Sequence, residues 1–204
     1  MTALLFSFAS CKKSDNTDET EKNVSETTEP EKELVTESSL GIDREQQVNA
    51  AIVYFSHNDG IKEAAEAMAE HTGYKLIEIT PETPYPEDEA LLEQRRKTEA
   101  EEGQRPVLVY GDESVSDCDI VILGFPVWEN TMPMAVWTFI EDHDMYGKAV
   151  IPFCAPGENG FGSALYDLTA ICRLDVLTDG FTIGGKDEAP EKLLSWLDGV
   201  LYGE

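Results

Sequence analysis

Apolar residues in this chain fall into short unbroken runs separated by stretches of helical spacing. Ile120-Val121-Ile122-Leu123 follows Asp119 with no polar interruption, and Ala50-Ala51-Ile52-Val53-Tyr54-Phe55 and Ala149 to Cys154 repeat the pattern. Runs this short and rich in β-branched residues predict strands buried on both faces of a parallel sheet. Lys75 to Ile79, with Leu76, Ile77 and Ile79 apolar, adds another strand, and Val176-Leu177 with Phe181-Thr182-Ile183 flank Gly180 as the last. Between them, Ile61 to His71 carries Ile61, Ala65, Met68 and Thr72 on one stripe. Asp88 to Glu102 turns Ala90, Leu91 and Leu92 inward at its start and closes at Gly103. Met134 to Glu141 faces Ala135, Phe139 and Ile140 inward, Phe161 to Cys172 is a further helix, and Glu191 to Leu201 presents Leu194, Trp196, Leu197 and Leu201. Strands alternating with helices at this spacing imply βαβ units, right-handed crossovers and an α/β, doubly wound parallel sheet with helices on both faces.

The breaks between these elements place the candidate chemistry. Gly124 and Pro126 are expected to end their strand, so that a loop begins at Phe125. Trp128, Glu129 and Asn130 then form an irregular segment capped by Thr131, ahead of the helix behind Pro133. Pro81-Glu82-Thr83-Pro84-Tyr85-Pro86 cannot be regular, and Pro106-Val107-Leu108-Val109 is a short extended piece. Three loops, Ser56 to Gly60, Phe125 to Asn130 and Cys154 to Gly162, follow strands at their carboxyl ends, where open α/β sheets bind ligands. The helix after the first loop offers its N-terminus to an anion.

The first 48 residues follow neither period. Met1 to Cys11 is apolar, ends in Phe8-Ala9-Ser10-Cys11 and is followed by Lys12-Lys13. It resembles the end of a bacterial lipoprotein signal peptide with a loose lipobox, which implies acylation at Cys11 and a protein lipid-anchored to the cell membrane outside the cytoplasm. The run is short for a signal and lacks a basic start, which places the expected true start further upstream. The alternative is an N-terminus with an incidental cysteine and a cytoplasmic protein. Residues 12–48, rich in Ser, Thr, Glu, Asp and Lys, cannot bury enough surface to offset ordering entropy, and read as a disordered acidic linker. The 36 residues from Lys12 to Gln47 would span ~33 Å as a flexible chain. The expected organisation is therefore residues 1–11 signal remnant, 12–48 linker and 49–204 folded domain.

Charge narrows the partners. A formal net charge of −26 excludes a nucleic-acid backbone as natural ligand and disfavours anionic membrane surfaces, leaving a lipid on Cys11 as the route to a membrane. Cys118, Cys154 and Cys172 are expected to pack as small hydrophobes. His57 reads as a solvated loop residue, His71 as a helix-end cation and His143 as part of a charged turn. No metal-site spacing and no Ser-His-Asp arrangement with a nucleophile elbow is present, so no catalytic residue is named.

Several motifs occur together: Tyr54-Phe55-Ser56, Pro84-Tyr85-Pro86-Glu87-Asp88, Leu123-Gly124-Phe125-Pro126-Val127-Trp128, Thr131-Met132-Pro133-Met134, and Ile151-Pro152-Phe153-Cys154 followed by Gly157 and Gly160-Phe161-Gly162-Ser163. With them the chain from Ala50 to Leu201 resembles a flavodoxin. The resemblance implies a five-stranded sheet of order 2-1-3-4-5 with FMN at the switch point. It implies that Ser56, His57, Asn58, Asp59, Gly60 and Ile61 hold the FMN phosphate. Pro126, Val127, Trp128, Glu129 and Asn130 would cover the isoalloxazine with Trp128, and Ala155, Pro156, Gly157 and Glu158 would border the ring.

The first loop departs from the family's Ser/Thr-x-Thr-Gly-Asn-Thr. Ile61 puts a hydrocarbon where a hydroxyl donor stands, and Gly60 supplies positive φ one position late. A carboxylate at Asp59 ~6 Å from a phosphate charge would cost on the order of 3 kcal/mol at an effective dielectric of about 20, less if it points outward. Glu129 replaces a second aromatic often found there. Three functions stay open: an FMN electron carrier serving a basic redox partner protein, an FMN-dependent NAD(P)H or quinone reductase, and a flavin-free binding module on the same fold.

Overall fold

The computed structural model of the protein describes residues 39–57, 59–112, 114–172, 179–184 and 190–203, all within the folded unit Val35–Glu204. Cys11, residues 12–38, Asn58 and Val176-Leu177 lie outside the described residues.

The chain forms β1 (Ala50–Tyr54), α1 (Ile61–Thr72), β2 (Lys75–Glu78), β3 (Thr80–Pro81), α2 (Glu89–Glu102), β4 (Leu108–Val109), β5 (Ile120–Pro126), α3 (Met134–Asp142), β6 (Ala149–Ala155), α4 (Ala164–Cys172), β7 (Phe181–Thr182) and α5 (Pro190–Tyr202). Five strands make one parallel sheet in the order β2-β1-β5-β6-β7, which is 2-1-3-4-5 once the small antiparallel pair β3-β4 is set aside. Alternation along β1 shows why both faces must be covered. Ala51, Val53 and Phe55 join the core cluster that holds α3 and α4, while Ala50, Ile52 and Tyr54 join the one that holds α1 and α5.

Four features differ from the sequence expectation. The strand does not stop before Phe125: β5 runs on through Phe125 and Pro126, paired with Cys154 and Ala155 of β6. Beyond Gly124 its other neighbour, β1, has ended, so Pro126 has only one strand beside it and its missing donor goes unnoticed. Gly124 itself answers to packing, because a Cβ there would lie 2.1 Å from Cζ of Phe153. The helix expected from Phe161 starts at Ala164, since Gly160 and Gly162 have φ of 63° and 56° and turn the chain before it. In α2, Leu92 is buried but Leu91 is 56% exposed, because the helix capped by the Asp88 side chain presents only one residue per turn to the core here.

The fourth difference is the start of the folded part. Leu40, Ile42 and Val48, within the stretch expected as linker, pack against the α1/α5 cluster. The Leu40 and Ile42 amides donate to the carbonyls of Val200 and Leu201 at 2.6 and 2.8 Å, and Arg44 stands over the Tyr202 ring. The last carbonyls of a helix have no intrahelical partner, and this segment supplies donors to two of them.

Candidate functional site

Parallel pairing brings the carboxyl ends of β1, β5 and β6 to the same edge, and the loops that follow them are joined. Val127 donates its N–H to the Ala155 carbonyl at 2.9 Å, and Ser163 donates its own to Asn130 at 2.7 Å. His57 meets Trp128 edge-on at 6.0 Å between ring centroids.

In the first loop, Asp59 is turned inward. Its Oδ1 accepts from the Ser56 hydroxyl at 2.8 Å and the Ile61 N–H at 3.0 Å, and its Oδ2 from the His57 N–H at 2.9 Å. Gly60, with φ 85°, makes the turn into α1, and Ile61 begins the helix fully buried. Two main-chain amides and a hydroxyl thus converge on one carboxylate beside a helix N-terminus, the geometry of an anion nest. The donor set fits an anion, but its place is taken by a side chain of the loop itself. The Asp59 carboxylate, whose direction the sequence left open, does not point outward: it takes donors that this helix N-terminus would otherwise offer.

The second loop is a two-residue turn. Trp128 and Thr131 exchange N–H···O bonds of 2.9 Å each way, with Glu129 and Asn130 between them at φ 48° and 64°. Thr131 does not cap α3, which starts behind Pro133. Its hydroxyl instead donates to Asp167 Oδ2 at 2.5 Å, as the Ser163 hydroxyl does at 2.8 Å, tying this turn to α4. Gly162 fits under the turn because any Cβ there would lie 2.3 Å from the Asn130 carbonyl oxygen.

Trp128, expected to lie over a flavin ring, is 8% exposed and belongs to the core. It meets Phe55 and Tyr85 edge-on at 5.3 and 5.0 Å, and the Arg96 guanidinium stands 5.3 Å from its ring. Little of the indole remains to stack on a ligand. Arg96 Nε lies 3.8 Å from Glu129 Oε1, so α2 also holds the tip of the turn. Tyr85 is fixed from below: its hydroxyl donates to the buried Glu99 at 2.7 Å, Glu99 also accepts from Arg95 at 2.7 Å, and the Arg95 guanidinium covers the Tyr85 ring. Burial, and then the Glu99 carboxylate, push the Tyr85 hydroxyl pKa above its usual range.

The third loop repeats the turn design, with Gly157 and Gly160 bridged and Glu158 and Asn159 at the tip. Pro156 and Glu158 are exposed, and Ala155 and Gly157 half-buried against Val127. A flavodoxin family model matches residues 49–200. The chain belongs to the flavodoxin family. Solved structures agree on the fold. A Bacteroides eggerthii protein assigned as a flavoprotein is 26% identical, with a TM-score of 0.64, over 76% of this chain and 98% of that one. A similarly assigned protein of Bacteroides uniformis gives 26% identity and a TM-score of 0.63 over 75% and 99%. A Lactobacillus acidophilus flavoprotein solved in complex with FMN gives 15% and 0.57 over 67% and 93%. A search of curated proteins finds no match.

Of the flavodoxin residues named from the sequence, Ser56, His57, Asp59, Gly60 and Ile61 share one nest, and Pro126 to Asn130 and Ala155 to Glu158 adjoin it on the same edge. Tyr85, Arg96, Ser163 and Asp167, which shape that edge, were not among the expected site residues. The Pro84-Tyr85-Pro86 and Gly160-Phe161-Gly162-Ser163 motifs were signals for Tyr85 and Ser163, whereas nothing local marks Arg96 or Asp167. Beside the outer strand β2 lies a separate cavity of about 320 Å³, lined by Ile77, Leu108, Tyr110, Phe139 and His143 among others. Among the described residues no group of His, Cys, Asp and Glu is placed to hold a metal, and no helix is long and apolar enough to cross a membrane.

Proposed function

We propose that the carboxyl edge of this flavodoxin domain holds a flavin and serves in electron transfer with a protein partner. The observation that carries the reading is the carboxyl edge itself, where the loops after β1, β5 and β6 are joined to one another in a chain of the flavodoxin family. A bound flavin would supply reversible one- and two-electron chemistry. The chain's part is to hold it between loops and shield it. The net charge of −26 favours a basic partner.

A flavin-free binding module is the second reading, favoured by the burial of Trp128 and by Asp59 occupying the donors. Titration of the purified full chain with riboflavin and FMN decides between them. Binding at micromolar ligand supports the carrier, and no binding of either leaves the flavin-free module. Steady NAD(P)H turnover with a quinone acceptor would make the protein a reductase instead. Anchoring through Cys11 rests on the sequence alone; labelled fatty acid should mark the full-length protein, and Cys11→Ser should release it from the membrane fraction.

A further inference from the structure

We infer that Asp59 is a specificity determinant which closes the nest to phosphate, so that the flavin taken at this edge is one without a phosphate ester, of the riboflavin type, in preference to FMN. This rests on the flavin reading above. Both carboxylate oxygens are engaged, Oδ1 by Ser56 Oγ and the Ile61 amide and Oδ2 by the His57 amide, so a phosphate would have to take donors already in use. Each amide has a single proton to give. If Asp59 stayed nearby, the phosphate would also meet a like charge in a loop whose two anion-facing amides cannot serve both groups. Two positions on, the buried Ile61 side chain offers no donor that could compensate. The ring end of a flavin is spared this conflict, because Val127, Pro156 and Gly157 belong to other loops, whereas the Asp59 carboxylate is bonded within its own.

Asp59 does for the loop what a cofactor phosphate would do elsewhere. It accepts from the first amide of α1 and places a negative charge at the positive end of the helix. These three donors are therefore engaged without a ligand, and a phosphate could use them only by displacing the carboxylate.

The test is calorimetric titration of the full-length chain and of Asp59→Gly with riboflavin and FMN, with thermal unfolding in the presence and absence of inorganic phosphate. Asp59→Ala, which likewise removes both acceptor oxygens, is carried in parallel in case the glycine variant folds poorly. The parent should bind riboflavin at least as tightly as FMN, and Asp59→Gly should prefer FMN by tenfold or more. Phosphate should raise the melting temperature of the variants and leave the parent unmoved. Tenfold tighter binding of FMN than riboflavin by the parent overturns the inference and leaves the flavin reading intact. If no flavin binds any form, the flavin reading falls, and the melts alone decide: a phosphate response confined to the variants supports Asp59 as the nest's own anion, and an equal response overturns it.

Discussion

The loop Ser56–Ile61 and the turn Val127–Thr131 stand at neighbouring strand ends, yet they are held in different ways. One side chain organises the first, since Asp59 gathers three donors that would otherwise face solvent or a ligand. The second is held by the core beneath it: Trp128 is buried against Phe55 and Tyr85, and its backbone closes a tight turn pinned by Ser163, Asp167 and Arg96. A single polar substitution can reset the first loop, whereas the second cannot change without disturbing the fold.

Trp128→Ala should break this contrast or confirm it most clearly. Removing a buried indole should cost about 3–5 kcal/mol of stability, read by urea unfolding. A loss below 1 kcal/mol would mean that Trp128 is a ligand-facing residue after all. Gly162→Ala comes next, since it forces both a positive-φ conformation and a Cβ against the Asn130 carbonyl. The expected cost is about 2–3 kcal/mol, and an unchanged unfolding midpoint would show that the second and third loops are not locked together.

Asp59→Ala should be milder, about 1–2 kcal/mol, because Ser56 and His57 are only half-buried and water can reach their donors, leaving the amide of buried Ile61 as the costly orphan. A loss as large as that of Trp128→Ala would put the two loops on the same footing. The smallest effect concerns the floor of the third loop. Burial pushes the Cys154 thiol from 9.0 up to about 12, and the Cys172 thiol up to about 11. Each thiol ionises first in the unfolded chain, so its contribution is fully present below pH 9.0 and is lost as pH rises through 11 to 12. Unfolding midpoints should be flat in this respect near neutrality and fall above pH 9, and iodoacetamide at pH 8 should label neither thiol faster than the protein unfolds. Rapid labelling of folded protein would show that the strand end under the third loop opens.

The strands were legible because both-face burial leaves a short, unbroken apolar run rich in β-branched residues, as in Ile120 to Leu123. Asp88 and Gly103 likewise announced the ends of α2 through local hydrogen bonding and backbone freedom. Leu40 and Ile42 were not legible. Two aliphatic residues in a polar stretch read as linker, and only the uncapped end of α5, some 160 residues away in sequence, turns them into structure.

At the candidate site the division is similar. The sequence alone determined that three loops follow strands at their carboxyl ends and that a carboxylate stands in the first of them, because the order of elements along the chain and residue identity require nothing from distant contacts. Only the tertiary structure decided which way Asp59 turns and whether Trp128 faces a ligand or the core. Each outcome depends on the position of groups brought from elsewhere: the first-turn amide of α1 for Asp59, and Phe55, Tyr85 and Arg96 for Trp128. A side chain's orientation is set by the sum of burial and hydrogen bonding around it, and that sum is not defined until the elements have packed.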